Sequence, residues 1–202
     1  MYTQELVALA GFAFAASITP GPNNLMLLSS GTNFGWWRTL PHLLGVALGF
    51  VLMIFVVGLG LGRLFEQWPV LELGLRVVCL LYLAYLAARL ALTPVHNAVG
   101  SAGDRGQPLS FLQAAAFQWV NPKAWAMAIT AMSVYLPDQS LWSVALVAAV
   151  FGLVNLPCIS SWTLLGLQLR RLLGTPGRLR TFNVTMAVLL VASVLPMLLS
   201  GA

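Results

Sequence analysis

Acidic residues are scarce in this chain, and so is lysine. Five of its 202 residues are Asp or Glu, one is Lys, and all charged residues together make up 7%. Soluble globular proteins carry about 25% charged residues, so water alone cannot solvate a surface of this composition. No Asp or Glu stands in the middle of an apolar run, which removes a membrane carboxylate as a proton carrier. Cysteine is equally sparse: Cys79 and Cys158 lie far apart in apolar surroundings, match no metal-ligand spacing and read as small hydrophobes. The two histidines, His42 and His96, lie near loops with no nucleophile, base or metal cluster beside them. That disfavours a membrane-embedded hydrolase, and neither a metal nor a cofactor is expected. The N-terminus, MYTQELVALAGFAFAAS, has no Lys or Arg ahead of its apolar run and so lacks the basic start of a secretory signal peptide. It is expected to remain as a span. The net charge of +5 comes mostly from arginines near the ends of apolar runs, so nucleic acid is not an expected partner.

What the chain has in abundance is hydrophobic sequence, 59% of its residues. Crossing about 30 Å of hydrocarbon takes about 20 residues of helix. Runs of that order extend from Leu6 to Leu28, Leu40 to Leu61, Val70 to Leu92, Leu109 to Leu136, Leu141 to Leu167 and Phe182 to Leu199. The one long polar stretch rich in Gly and Pro is TPVHNAVGSAGDRGQP, Thr93 to Pro108, which reads as a linker between halves. Residues 1–92 then form repeat one, 93–108 the linker and 109–202 repeat two, within a single transmembrane domain. Trp36, Trp37, Trp68 and Trp142 read as an interfacial belt, whereas Trp119 and Trp162 adjoin interruptions and are candidates to line a cavity. Gly45, Gly49, Gly58, Gly60 and Gly62 read as sites of close helix packing.

Two runs contain sequence that a helix cannot continue through. The first has TPGPNN, Thr19 to Asn24, and the fourth has FQWVNPKAW, Phe117 to Trp125. Proline removes a backbone donor and its ring clashes with the carbonyl one turn earlier. Pro20 and Pro22 should therefore free the carbonyls of Ala16 and Ile18, and Pro122 that of Gln118. Pro122 falls one hundred positions after Pro22. Three helices is an odd number, so the fourth helix enters from the side opposite the first. The expected fold is an all-α integral membrane protein of six transmembrane helices, arranged as two inverted three-helix repeats with the first helix of each repeat broken. Transporters use such matched breaks, because unwound backbone at mid-membrane offers groups to a substrate.

The breaks also supply complementary charge. Freed carbonyls can accept from an ammonium. A half-helix resuming at Asn23 and Asn24 presents unpaired N–H groups and a partial positive charge suited to a carboxylate, and the Asn side chains can cap it. Lys123, the only lysine, takes the matching place in the second half. A zwitterion such as an amino acid meets an opposite charge at each end. Ser160, Ser161 and Thr163, after Pro157, are weaker candidates to line a path. Broken helices could instead pack on a partner in a structural or assembly subunit, or line a passive channel. A bundle this small invites a homodimer, although the sequence shows no interface.

TPGPNN followed by LLSSGTNFGWWRTLPHLLGVALGF resembles the opening of the LysE/RhtB family of amino-acid exporters, and FQWVNPKAW resembles that family's second-half Asn-Pro-Lys motif. The runs PGPNNLMLLSS, ALGF, AFQWVN and LPDQ are most similar to its cysteine and O-acetylserine exporter branch. Membership implies export of a neutral amino acid or derivative, of that type or of the homoserine, threonine or leucine type, across the bacterial inner membrane and driven by protons. Carried over by position, Pro20, Gly21, Pro22 and Asn23 match the first motif and Asn121, Pro122 and Lys123 the second. With Thr19, Asn24 and Gln118 these are the expected substrate-binding residues, and Trp119, Trp162 and Met26 are expected to select the side chain. The family often has an acidic residue after the Gly of helix two, where this chain has Phe50 after Gly49. A neutral substrate suits that departure better than a cationic one.

Arg38, Arg89, Arg105, Arg170, Arg171, Arg178 and Arg180 fall on one side of this arrangement, with His42, His96 and Asp104 nearby. The other side has Arg63 and Arg76 against Glu5, Glu66, Glu72 and Asp138. Excess Lys and Arg stay cytoplasmic, so both termini are expected outside, in the periplasm. A reporter active only in the cytoplasm should be silent when fused after Ala202, and a bright fusion would refute this topology.

Overall fold

The computed structural model describes residues 3–61, 69–94, 106–136, 138 and 140–193. Among these, every regular element is helical: α1 (Thr3–Ile18), α2 (Pro22–Phe34), α3 (Trp36–Val56), a π-helical turn (Val57–Leu61), α4 (Pro69–Ala91), α5 (Phe111–Gln118), α6 (Pro122–Tyr135), α7 (Leu141–Leu172) and α8 (Pro176–Ala192). The EQWP turn, the linker between residues 95 and 105, and the end of the sixth run lie outside the described residues. So do Arg63, Glu66, Trp68, His96, Asp104 and Arg105, together with the side chains of Glu72 and Arg76.

Both expected interruptions are present. The first run is two helices, α1 and α2, bent by 56° across Thr19–Gly21. The fourth is α5 and α6, separated by Trp119–Asn121. A proline opens each resumed helix, Pro22 in α2 and Pro122 in α6, where the missing N–H costs nothing. Among the described residues, long apolar spans are fewer than six by length and composition. Trp36–Leu61, Leu73–Ala91 and Leu141–Leu172 are long and apolar enough to cross a membrane, and the bent α1–α2 pair makes a fourth. Pro157 does not interrupt α7, which runs on to Leu172.

α7 organises the packing, lying against α1, α2 and α3, while α3 also packs on α5, and α4 on α8. Glycines set the closest of these approaches. A Cβ on Gly166 of α7 would strike the Leu28 carbonyl of α2, and one on Gly31 of α2 would strike that of Thr163. On the opposite flank, Gly45 and Gly49 of α3 meet the backbone of Phe111 and Ala115. Gly58 packs against Val144 and Met132. Gly60 departs from the packing expectation: its surroundings are open, and its φ of 112° in the π-helical turn is what calls for glycine. Gly62 lies outside the described residues.

His42 stands elsewhere than the sequence suggested. It is fully buried in α3, with Nδ1 2.9 Å from Ser30 Oγ and Nε2 without a partner. In the exposed loop before α7, hydrogen bonds from the Ser140 side chain, then from Ser143 and the Ser140 backbone N–H, hold the Asp138 carboxyl at about 2. It is ionised at any physiological pH.

Overpacking a tight contact of this kind costs about 1–3 kcal/mol. Gly166→Val should therefore lower the thermal midpoint in detergent, while Gly11→Ala, whose Cβ meets nothing within 4 Å, should leave it unchanged. Equal effects would show that α2 and α7 do not depend on this approach.

Candidate functional site

The carbonyls that the prolines free are already occupied. Ala16 O accepts from Thr19 Oγ1 at 3.0 Å, Ile18 O from Trp162 Nε1 at 3.1 Å, and Gln118 O from the Asn121 N–H at 3.2 Å. The carbonyls that receive an ammonium are the next ones along. Lys123 Nζ donates to Thr19 O and Thr19 Oγ1, each at 2.8 Å, and to Pro20 O at 3.3 Å. Lys123 is half-buried, while Thr19 and Pro20 are exposed. Exposed non-helical backbone is tolerated at membrane depth only where it faces protein or water.

Each asparagine of the first break has a distinct task. Asn24 Nδ2 reaches back to Ser17 O and Thr19 O, both at 2.8 Å, closing the end of α1. This corrects the expectation that it caps α2, whose N-cap is Gly21 in extended conformation with no side-chain bond. Asn23 Nδ2 donates to Gln118 Oε1 at 2.8 Å, and Gln118 Nε2 returns a bond to Asn23 Oδ1 at 3.2 Å. That reciprocal amide pair joins the two breaks, 95 positions apart in sequence. Asn121 caps α6, its Oδ1 accepting from the Lys123 N–H at 3.1 Å.

These groups surround a small pocket lined by Ser17, Gly21, Asn23, Asn24, Phe50, Asn121, Lys123 and Asn155, with Ala16, Ala124, Met127 and Ile159 as its apolar wall. The space in it open to the centre of a water molecule is about 20 Å³, enough for at least one ordered water. A Cβ on Gly21 would lie 2.7 Å from Lys123 Cδ, so the glycine leaves room for the lysine side chain in its present position.

Of the residues expected at the site, Gly21, Asn23, Asn24, Asn121 and Lys123 line the pocket. Thr19, Pro20 and Gln118 connect to it through the bonds above, and Pro22 and Pro122 start the two resumed helices. The three side-chain selectors do not line it. Trp162 holds Ile18 O, Trp119 stacks edge-on with Trp125 at 6.1 Å, and Met26 lines a separate cavity beside Ser29 and Arg89. Ser160, Ser161 and Thr163 turn their hydroxyls back to carbonyls of α7.

Two polar residues of the pocket, Ser17 and Asn155, escaped the sequence reading. Asn155 is 6% exposed; its Nδ2 donates to Ser17 Oγ at 3.1 Å, and its Oδ1 has no partner among the described residues. A buried amide in an apolar stretch of a long helix is itself a functional signal.

A polar pocket held between two interrupted helices, in an all-helical and largely apolar chain, defines a membrane translocator. The chain belongs to the LysE type translocator family, whose sequence profile matches residues 14–200. It is similar to proteins named cysteine/O-acetylserine efflux protein from Escherichia coli strain K12 and Shigella flexneri. Each is 30% identical over 192 residues, spanning 92% of this chain and 93% of the relative. The protein of that name from Escherichia coli O139:H28 is 29% identical over the same length. No solved structure matches the chain.

Removing one amide of the Asn23–Gln118 pair strands the other, a loss of about 1–3 kcal/mol. Asn23→Leu and Gln118→Leu should each lower the thermal midpoint, and the double variant should lose less than their sum, by at least about 0.5 kcal/mol. Strict additivity would mean that the amides do not couple the breaks.

Proposed function

We propose that this protein is a secondary active exporter of a neutral amino acid or derivative, of the cysteine or O-acetylserine type, across the bacterial inner membrane. The observation that carries the proposal is the meeting of two interrupted helices at one pocket that offers both signs of charge. The substrate carboxylate faces Lys123 and the start of α2, whose first N–H groups have no side-chain cap. Its ammonium faces the Thr19 and Pro20 carbonyls and the unpartnered Asn155 Oδ1. The names of the relatives support the substrate type. Phe50 supports a neutral side chain, since it lines the pocket wall at the position where the family often has an acid.

The proposed architecture is six spans in two inverted repeats, residues 1–92 and 109–202, with 93–108 as linker. Its support is that the packing keeps its pattern when the halves are exchanged. The first run against α7 becomes the fourth against α3, whereas α3–α7 and α4–α8 map onto themselves. Termini on the outside are supported by the gathering of arginines at one end. Arg38 and Arg89 donate to the carbonyls of Gly106 and Gln107, and Arg170 stands against Gly35. Protons are the proposed coupling ion. The ionised Asp138 is unsuited to carry them.

Purified protein should be stabilised against heat by amino acids of the accepted class, O-acetylserine and cysteine among them. Export from loaded vesicles should fall about tenfold in Lys123→Ala and in Asn23→Ala, the equivalent of one charge-assisted hydrogen bond. Undiminished export by both inserted variants would remove the site. Saturable flux that responds to an imposed pH step would separate a coupled exporter from a passive channel.

A further inference from the structure

Lys123 does more than wait for a carboxylate. Its ammonium holds three oxygens of the first break at 2.8, 2.8 and 3.3 Å, an acceptor set that would equally suit the ammonium of an amino acid. Lys123 also lines the pocket beside them. In this state its charge takes the acceptors that a substrate ammonium needs.

We propose that Lys123 is a tethered competitor for the ammonium position, released from the Thr19 and Pro20 oxygens only when a carboxylate gives its charge a better partner. The inference rests on the zwitterion site proposed above and adds a selection rule. An amine without a carboxylate brings one ammonium to replace another and leaves Lys123 with a charge and no counter-charge. A zwitterion exchanges both partners at once: its ammonium takes the oxygens of Thr19 and Pro20, and its carboxylate takes Lys123. Asn155 Oδ1, buried and unpartnered in the same pocket, supplies a further acceptor for the arriving ammonium. Release of Lys123 also cuts a tie between the breaks, while the Asn23–Gln118 pair remains. Substrate binding and separation of the broken helices are thereby linked.

The test pairs amino acids with their decarboxylated amines: cysteine with cysteamine, serine with ethanolamine, leucine with isoamylamine. Thermal stabilisation of the purified full-length protein is read for each pair. The unaltered protein should respond to at least one of these amino acids and to none of the amines. In Lys123→Met the amine of that pair should gain affinity about tenfold or more, while the preference for the amino acid collapses. Loss of charge repulsion alone could favour an amine, so Lys123→Met/Thr19→Val is needed as well. If the amine has taken the vacated oxygens, loss of the Thr19 hydroxyl should reverse much of its gain. Should Lys123→Met fail to insert, Lys123→Gln supplies the uncharged background. An inserted variant with no gain for the amine, or a gain that ignores Thr19, overturns the competition and leaves Lys123 as a carboxylate partner only. An unaltered protein that responds to no amino acid overturns the zwitterion site as well, so the two failures are distinguishable.

Discussion

In hydrocarbon a backbone carbonyl without a partner costs several kcal/mol, and the arrangement of this protein follows from meeting that demand at two breaks. The prolines of the first break leave α1 with open carbonyls in its last turn. Thr19, Trp162 and Asn24 close them, and Lys123 takes the carbonyls of the break that follows. These donors come from the break itself, from the resumed helix, from α6 and from α7, so satisfying one helix end fixes four elements relative to one another.

The same demand explains why the helices approach so closely. Without a hydrophobic force between spans, association relies on packing and interhelical hydrogen bonds, and small residues bring backbones together. Gly31 and Gly166 let α2 and α7 meet backbone to backbone, and Thr32 Oγ1 uses that approach to reach Gly166 O at 3.0 Å. α2 is held at both ends by reciprocal amide pairs, Asn23 with Gln118 at its start and Asn33 with the buried Asn183 at its finish. The half-helix aimed at the pocket is therefore fixed at both of its ends to the second half of the chain.

How much of this was legible depends on whether the cause is local. Proline acts on its own helix, so both breaks could be read from TPGPNN and VNPKAW, although α2 resumes at Pro22, just ahead of the asparagines expected to begin it. Partners separated by a hundred residues cannot be read that way. The sequence pointed to freed carbonyls, yet not to Trp162 and Thr19 closing them, nor to Lys123 reaching the oxygens of Thr19 and Pro20. Asn24 looked like a cap for the helix it begins and instead closes the helix before it. Met26 is close to the break in sequence, but helical rotation turns it toward a different cavity. Asn155 and His42 were hidden for a shared reason: each is a polar residue flanked by apolar ones on a long helix, and burial alone decides whether such a residue faces lipid, core or pocket.

Charge accounting at the pocket narrows what it can accept. Among the described residues, Lys123 is the one formally charged side chain that lines it, opposed by dipoles of carbonyls, hydroxyl and amides. A positive group in a low-dielectric setting favours a ligand that brings negative charge, and a free amine adds to the imbalance. A cationic side chain on the substrate would do the same unless an acid stood near, and at Phe50 the wall is a phenyl ring. An amino acid with an uncharged side chain satisfies both conditions: its carboxylate offsets Lys123, its ammonium uses the oxygens that Lys123 leaves, and the remainder meets Phe50, Met127 and Ile159. The selectivity thus proposed arises from the absence of an acid as much as from the presence of the lysine.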